Sequence, residues 1–327
     1  MATQSRRGFL LGAGALAAGA ALPLRAQSVV PIRVANPTAD DDPIGVAAAH
    51  FASRVRELAG NAAAVRVFSR SALGNENVAL EGTIAGNIDV DIVSNTVLSG
   101  VVPELAVLDV PYGLRSPDHA WKVLDGDVGK SLDEKIQTKG VRVAGWAYGG
   151  SRCLMTRNKA VKSVSDVAGM KLRVPNNQTY NDIAKAWGTI ATTVPWPETY
   201  LALSQGVVDA IETAPGPSFD QKHYEVAKHL VRTDHLIYFH IWVISNKSYQ
   251  SWSEPVRNAV TTAAREAALL NRKLRLEQER GVYDEFAKRG VTIDQPNREE
   301  FAAKVRSIQD GVKPDLMPIL QRIRAAA

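Results

Sequence analysis

Alternating polar and apolar residues mark one short stretch of this chain, Lys171-Leu172-Arg173-Val174. A period of two is typical of a half-buried strand, with Lys171 and Arg173 on one face and the two apolar residues on the other. Pro175 predicts the end of the strand, because proline cannot donate a ladder hydrogen bond. Arg173 is therefore expected at the carboxyl end of a strand, the edge at which open α/β sheets bind ligands.

The amino-terminal part of the chain follows a β-α-β-α-β pattern. Strands are predicted at residues 29–35, 65–68 and 88–93, and helices at 44–58 and 74–85, from alternating or helically spaced apolar residues. This order is typical of a mostly parallel sheet covered by helices. The pattern therefore assigns the chain to the α/β class.

Two later features predict a hinged clamp. The pair Gly149-Gly150 follows a strand predicted at 141–146, and we interpret it as a hinge crossing because glycine absorbs backbone change at little cost. A strand shared by both lobes is expected near 236–242. A long helix is predicted over 254–286, with a break or kink near Gly281, and it would brace both lobes.

The length of the chain suits two domains better than a single core. We expect residues 27–149 and about 239–280 to form domain I, and residues 150–238 and about 281–327 to form domain II. The expected fold is two-lobed, with mixed sheets flanked by helices, a hinge and the bracing helix. Hinge closure of the kind seen in periplasmic binding proteins would place a site between the lobes.

The first residues match a twin-arginine export signal. Ser5-Arg6-Arg7-Gly8 precedes an apolar stretch that reaches Leu22, and a cleavage site is predicted before Gln27. Residues 1–26 are therefore predicted to be a signal peptide, and the mature chain to be periplasmic. A retained amino-terminal anchor is the alternative.

The leader also carries much of the positive charge. The chain has 39 Lys and Arg against 34 Asp and Glu, and Arg6, Arg7 and Arg25 lie in the leader, which leaves 36 against 34. A balance this close to neutral argues against nucleic-acid binding. The acidic run at 40–42 would repel an anion, so we interpret its members as solvated turn residues.

The sequence contains no recognisable enzyme or metal motif. Gly-x-Ser-x-Gly, P-loop, His-Glu-x-x-His and Cys-x-x-Cys patterns do not occur. Cys153 is the only cysteine, which excludes an intramolecular disulfide and a cysteine-based metal site. The histidines lack metal-ligand spacing. We therefore expect no catalytic residue, no metal and no cofactor.

The remaining polar candidates suit the binding of an anion. Arg173 could hold a carboxylate through two parallel hydrogen bonds, and Arg152 could face the same crevice if their strands are neighbours. Asn176 could contact ligand oxygens, while Trp196 and Tyr148 could form apolar walls. The alternatives are two solvated arginines, a turn asparagine and two core aromatic residues.

The order of these motifs resembles the solute-binding proteins of tripartite ATP-independent periplasmic (TRAP) transporters. The segment 166–175 matches D-x-x-G-x-K-x-R-x-P at every fixed position, and 198–212 is similar to E-x-Y-x-A-L-x-x-G-x-x-D-x-x-E. The segments 73–77 and 149–152 resemble the family's L-G turn and its G-x-R segment. Ser204 departs from the glutamine often found there.

The resemblance implies roles for particular residues. Arg173 would bind the ligand's carboxylate, and Arg152 would add a second contact. Asn176, three residues after Arg173, would be a polar contact of the ligand. Further polar contacts would come from residues after the first and third strands and after the D-x-x-E segment: Asn36, Ser94, Asn95 and Thr213. The family often has asparagine at the last of these positions, so ligands that need that amide are put in doubt.

The implied function is capture of a small organic acid and its delivery to integral-membrane transporter subunits. The implied fold is that of a periplasmic binding protein, and we expect a monomer that binds no nucleic acid. Two alternatives remain open, a ligand-sensing subunit that reports to a membrane sensor and a periplasmic enzyme on the same scaffold.

Overall fold

The computed structural model describes residues 29–326, so the predicted signal peptide at 1–26 lies outside the described residues. The strands of this part of the chain are β1 (Val30–Ala35), β2 (Ala63–Phe68), β3 (Val90–Ser94), β4 (Val141–Thr156), β5 (Lys171–Val174), β6 (Ile190–Thr193), β7 (Ala210–Thr213), β8 (His229–Ser245) and β9 (Thr292–Asp294). Its α-helices are α1 (Pro43–Ala59), α2 (Glu76–Ala85), α3 (Asn95–Leu98), α4 (Pro117–Leu124), α5 (Asp127–Gln137), α6 (Gln178–Ala186), α7 (Thr199–Ser204), α8 (Pro215–Asp220), α9 (Asn246–Ser251), α10 (Glu254–Lys288), α11 (Arg298–Lys304), α12 (Arg306–Asp310) and α13 (Met317–Ala325).

None of the helices within residues 29–326 is both long and apolar enough to cross a membrane.

The strands form a mixed sheet with the order β2-β1-β3-β8-β4-β7-β5-β6, and β9 pairs with β8. The predicted β-α-β-α-β start is confirmed, because β1 pairs in parallel with both β2 and β3. The helices α1 and α2 connect these strands, as parallel pairing requires a crossover. The alternation of strands and helices read from the sequence therefore corresponds to the real topology.

The two long strands β4 and β8 run through both lobes of the fold. The first part of β4 pairs with the end of β8, which also pairs with β3, while the end of β4 pairs with β7. We call β1–β3 with α1–α3 the β1 lobe, and β5–β7 with α6–α8 the β5 lobe. A two-lobed α/β protein results, in which the sheet continues from one lobe into the other.

The predicted hinge glycines lie inside β4 rather than in a loop. The register of β4 against β8 shifts between Tyr148 and Gly150, and Gly150 has a φ of 125° that favours glycine. A Cβ atom on Gly149 would lie 2.5 Å from the ring of Tyr238. Both glycines are thus required locally, and their role as a hinge, like the domain boundaries, stays a prediction.

The helix α10 runs for 35 residues through Gly281, so the predicted break near that residue is wrong. A glycine inside a helix costs only about 1 kcal/mol, and the buried side chains of Val282 and Phe286 hold the following turns against the core. Earlier in the helix, small buried residues such as Ala264 and Ala268 allow close packing on α1 and β4. Burial of the apolar face therefore outweighs the local propensity.

The interpretation of the acidic run at 40–42 was correct for two residues and wrong for the third. Asp40 and Asp41 are exposed, but Asp42 is 1% exposed. Its side chain caps α1 by accepting a hydrogen bond from the Ile44 N–H, and it forms an ion pair with Arg275. The burial results because a cation 233 residues later in the sequence lies beside it.

Candidate functional site

The strand β5 places Arg173 in the interior of the protein. The predicted strand 171–174 is confirmed, and it lies between β6 and β7, so it is not an edge strand. Leu172 and Val174 pack into the apolar cluster of the β5 lobe, while Arg173 points to the other face and is only 3% exposed. Pro175 follows the strand directly. Strand alternation therefore directs one buried guanidinium away from the core.

The guanidinium of Arg173 is held at one end only. Its Nε donates a hydrogen bond to the Val194 carbonyl at 2.9 Å, and within residues 29–326 it makes no other hydrogen bond or ion pair. Its carbon Cζ lies 5.9 Å from the ring centre of Trp196. Burial and the neighbouring Arg152 lower the pKa of Arg173 to about 10, so it remains a cation at neutral pH. Two terminal nitrogens are left to bind an anion.

Arg152 has a different environment. Its guanidinium forms a buried ion pair with Glu212, and Nη2 also donates to the Glu212 carbonyl at 3.1 Å. The same guanidinium lies over the rings of Tyr180 and Tyr238, with Cζ 4.9 and 4.5 Å from the ring centres. Most of its hydrogen-bonding capacity is therefore used within the protein.

The pKa shifts of this ion pair follow from opposing effects of burial and of neighbouring groups. Burial would raise the pKa of Glu212, but the charge of Arg152 and the hydrogen bonds from Arg152 and His235 together outweigh it, and the pKa falls to about 2. Burial would likewise lower the pKa of Arg152, but Glu212 holds it above its ordinary value. The nearby His235 also faces Glu212, with Nε2 at 3.3 Å from a carboxylate oxygen. Arg152 and Glu212 are therefore both charged, and their charges cancel.

The two arginines line one cavity between the lobes, although their strands are not neighbours as the sequence reasoning required. The strand β7 lies between β4 and β5, and both arginines reach the cavity from either side of it. The cavity is lined by Pro37, Thr38, Glu76, Ser94, Thr96, Val97, Arg152, Arg173, Pro175, Trp196, Thr213, Pro217, Tyr238 and His240. A larger cavity between α5, β4 and α10 contains none of the predicted site residues.

Five of the nine predicted site residues line this cavity: Arg173, Arg152, Ser94, Thr213 and Trp196. Trp196 is half-buried and forms the wall beside Arg173. Ser94 uses its hydroxyl to cap α3, where it accepts a hydrogen bond from the Val97 N–H. Thr213 is 2% exposed at the end of β7.

The structure does not bring the other four predicted residues to the cavity. Asn36 holds the turn after β1, because its side-chain oxygen accepts hydrogen bonds from the N–H and the hydroxyl of Thr38. Asn95 accepts from the Phe239 N–H and donates to a buried aspartate. Tyr148 is 1% exposed and donates to Glu279. The polar groups of Asn36, Asn95 and Tyr148 are therefore bound to other parts of the protein and do not line the cavity.

Asn176 is exposed, and its neighbour Asn177 makes the polar contacts instead. The side chain of Asn177 caps α6, and its amide donates to the Thr96 carbonyl, the Ser99 hydroxyl and Asp109. These contacts connect the β5 lobe to the α3 region of the β1 lobe. Asn177, and not the predicted Asn176, therefore connects the two lobes.

Sequence reasoning also missed five polar side chains that line the cavity: Thr38, Glu76, Thr96, Tyr238 and His240. Tyr238 and His240 alternate along β8, so both project from the same face, a signal that strand periodicity could have provided. Glu76 opens α2, and one of its oxygens accepts a hydrogen bond from the Ser94 N–H at 2.8 Å. Burial raises the pKa of Glu76, whereas burial lowers that of His240 to about 3, so this histidine is neutral at pH 7.

Comparisons with known proteins agree with the two-lobed fold. The model of the family described as bacterial extracellular solute-binding protein, family 7 (DctP), matches residues 34–313. The 2,3-diketo-L-gulonate-binding periplasmic protein YiaO of Escherichia coli K12 is 29% identical over 285 residues, which cover 87% of this chain and 86% of that protein.

Two solved structures share the fold. A TRAP periplasmic solute-binding protein of Chromohalobacter salexigens with bound D-glucuronate has a TM-score of 0.87 and 29% identity, and the match covers 90% of this chain and 100% of that one. The sugar acid binding protein DctPAm of Advenella mimigardefordensis, in complex with galactonate, has a TM-score of 0.88 and 27% identity over 91% and 99% of the two chains.

Proposed function

The chain belongs to the bacterial extracellular solute-binding proteins of family 7, and from this premise we propose that it binds a hydroxylated monocarboxylate, a sugar acid, through Arg173. It is a TRAP solute-binding protein, which captures a small carboxylate-bearing anion in its cleft and works with membrane transporter subunits. Its relatives are periplasmic transport proteins rather than enzymes. The proposal concerns which anion is bound and which residues bind it.

The observation that carries the proposal is the free end of the Arg173 guanidinium. A buried cation with only one hydrogen bond, to the Val194 carbonyl, loses hydration without full compensation. A ligand carboxylate would accept two parallel hydrogen bonds from the terminal nitrogens and neutralise the charge. Trp196 would shield this pair from water and thereby strengthen it.

The charges around the cavity favour one carboxylate rather than two. Glu212 already compensates Arg152, so Arg173 is the single cation of the cavity lining that lacks an anionic partner within the described residues. A second ligand carboxylate would find no second free guanidinium, and it would lie near the carboxyl group of Glu76. Such an unpaired buried charge is costly, so a dicarboxylate would bind more weakly.

The rest of the lining suits hydroxyl groups. Glu76 can accept hydrogen bonds from them, Thr38 and Tyr238 can donate or accept, and the neutral ring of His240 can do either, depending on its tautomer. A sugar acid combines one carboxylate with several hydroxyls and would satisfy this set. Closure of the lobes over such a ligand would exclude water and complete the site.

The twin-arginine leader is part of the same proposal. Its arginine pair and apolar stretch predict export in a folded state, and the periplasmic relatives agree with the compartment. We expect the mature chain to act as a monomer.

A thermal-shift panel tests the proposed ligand class. Galactonate or D-glucuronate should raise the melting temperature, because ligand at 100 times its Kd adds about 2.7 kcal/mol to the free energy of unfolding, equivalent to several degrees. D-galactose, which lacks the carboxylate, and succinate, which lacks the hydroxyls, are the controls and should have little effect. A larger shift with succinate than with either sugar acid would contradict the proposal.

The variant Glu76→Gln distinguishes recognition of the ligand's hydroxyl groups from recognition of its carboxylate. It removes an acceptor near the hydroxyls and leaves Arg173 in place, so affinity for galactonate should fall more than affinity for a simple monocarboxylate such as lactate. Glu81→Gln, an exposed substitution on the same helix, is the matched control. Equal losses for both ligands would show that Glu76 does not read the hydroxyls.

A further inference from the structure

A buried arginine outside the cavity lining contacts both lobes. Arg275 lies in the middle of the bracing helix α10 and is 0% exposed, which is rare for this residue type. Its Nη2 contacts a carboxylate oxygen of Asp42 at 2.6 Å, and its Nη1 contacts one of Asp220 at 3.2 Å. Asp42 belongs to the β1 lobe and Asp220 to the β5 lobe.

The first of these carboxylates is connected to the ligand cavity by a short loop. Asp42 caps α1 through the Ile44 N–H at 2.7 Å, which fixes its position at the end of the loop after β1. The same loop carries Pro37 and Thr38 into the cavity lining. A ligand that contacts Thr38 therefore acts on the segment that presents Asp42 to Arg275.

The second carboxylate is connected to the cavity by a helix. Asp220 is the last residue of α8, and Pro217 of that helix lines the cavity. Gln278 of α10 donates to both oxygens of Asp220, at 2.9 and 3.2 Å, and accepts a hydrogen bond from Arg275. Both lobes thus bring a cavity-lining segment and a carboxylate to one arginine.

A glycine of α8 lets the side chains of Arg275 and Gln278 approach this helix closely. A Cβ atom on Gly216 would lie 2.7 Å from Nη1 of Arg275 and 2.4 Å from the side-chain oxygen of Gln278. Real Cβ contacts are not that short, so a larger residue would displace the ends of the Arg275 and Gln278 side chains from their present positions. The close approach of Arg275 and Gln278 to α8 therefore depends on the missing side chain of Gly216.

We propose that Arg275 is a positioning residue that latches the closed clamp, by binding Asp42 of one lobe and Asp220 of the other at once. Arg275 is not among the residues that line the cavity, and it acts through the loop of Asp42 and the helix of Asp220. When the lobes separate, one carboxylate must leave a guanidinium that stays buried on α10. The latch therefore opposes opening after the ligand has entered, and it sets how long the ligand is retained.

The latch rests on the proposed function for its ligand readout, so galactonate serves as the probe. Stopped-flow tryptophan fluorescence gives its association and dissociation rate constants. Asp220→Asn should raise the dissociation rate constant about 10-fold or more and change the association rate constant less than about 2-fold, because the latch forms after entry. Asp284→Asn, an exposed substitution on α10, is the control and should change neither.

Two further variants separate a latch from a general loss of stability. Arg275→Lys keeps the charge without the fork, so its dissociation rate constant should lie between those of the wild type and Arg275→Met. Gly216→Ala should accelerate dissociation while both carboxylates remain. A lower melting temperature with unchanged dissociation in Asp220→Asn and Gly216→Ala would overturn the proposal.

A distance measurement keeps the test independent of the ligand. Spin labels on Val78→Cys and Leu201→Cys report the separation of the lobes, since both positions are at least half exposed and Cys153 is fully buried. Asp220→Asn should increase the long-distance fraction, with and without galactonate. If galactonate does not bind the wild type, the proposed function fails. The distances measured without ligand in the wild type and in Asp220→Asn then test the latch by themselves. An unchanged distance distribution would overturn it.

Discussion

Replacing Arg173 by methionine should greatly weaken ligand binding without destabilising the ligand-free protein. Methionine approximates the length of the side chain and removes the charge. An arginine that served the fold would give the opposite stability result. The variant therefore tests whether the structure maintains this cation for a ligand.

The expected stability change follows from the desolvation of Arg173. Its pKa falls from 12.5 to about 10, which corresponds to an unfavourable free energy on the order of 3 kcal/mol for the charged form in the folded state. A cation with a lowered pKa destabilises the fold at pH 7, where it is charged in both states. Loss of the hydrogen bond to the Val194 carbonyl costs about 1–3 kcal/mol. Arg173→Met should therefore range from unchanged to about 2 kcal/mol more stable.

The expected loss of binding is large. Removing one partner of a desolvated charge pair typically costs about 2–5 kcal/mol, which is roughly 30- to several-thousand-fold in Kd. Isothermal titration calorimetry with galactonate measures the affinity, and urea unfolding measures the stability. Lys171→Met, an exposed substitution on the same strand, is the matched control and should alter neither.

Arg173→Lys refines the interpretation, because it retains the charge and loses the planar fork. We expect an affinity between those of the wild type and the methionine variant. Binding of Arg173→Met within about 3-fold of the wild type would refute the assignment of the carboxylate anchor. A loss of stability above about 3 kcal/mol would refute the argument that this cation is held at a cost.

Arg152→Met should lower the free energy of unfolding by about 3–5 kcal/mol, because it leaves the carboxylate of Glu212 buried and unpaired. Urea unfolding measures the change, and a loss below about 1 kcal/mol would mean that the pair is dispensable. Burial raises the pKa of Asp91 well above its ordinary value, so stability falls as the pH rises above about 4, because this carboxyl ionises in the unfolded chain while the folded state keeps it protonated. Asp91→Asn should match the wild type at about pH 4 and exceed it in stability at about pH 8, and equal stability at both would contradict that view.

The candidate site shows where sequence reasoning is limited. Arg152 was interpreted as a second anchor for the ligand, but it is bound to Glu212, which lies 60 residues away on β7. No local pattern predicts which strand lies between β4 and β5. The order of strands in the sheet therefore determines that Arg152 pairs with Glu212 and that Arg173 keeps its uncompensated charge.

The two adjacent asparagines differ for a related reason. Asn176 and Asn177 are chemically identical, and the resemblance pointed to the first. The start of α6 makes Asn177 the capping residue and directs its amide toward α3 of the other lobe. A shift of one residue reverses the direction of a side chain, and only the actual helix start determines it.

The sequence alone determined the strand 171–174, its end before Pro175, the α/β order of the amino-terminal part and the family. These properties depend on neighbouring residues, through side-chain alternation and the missing N–H of proline, or on motif spacing. Only the tertiary structure decided that Arg173 is the free cation, that Arg152 is neutralised, and that Asp42 meets Arg275 of α10. Those outcomes depend on which distant charges burial brings together, because a buried ion interacts with its nearest partner in space and not in sequence.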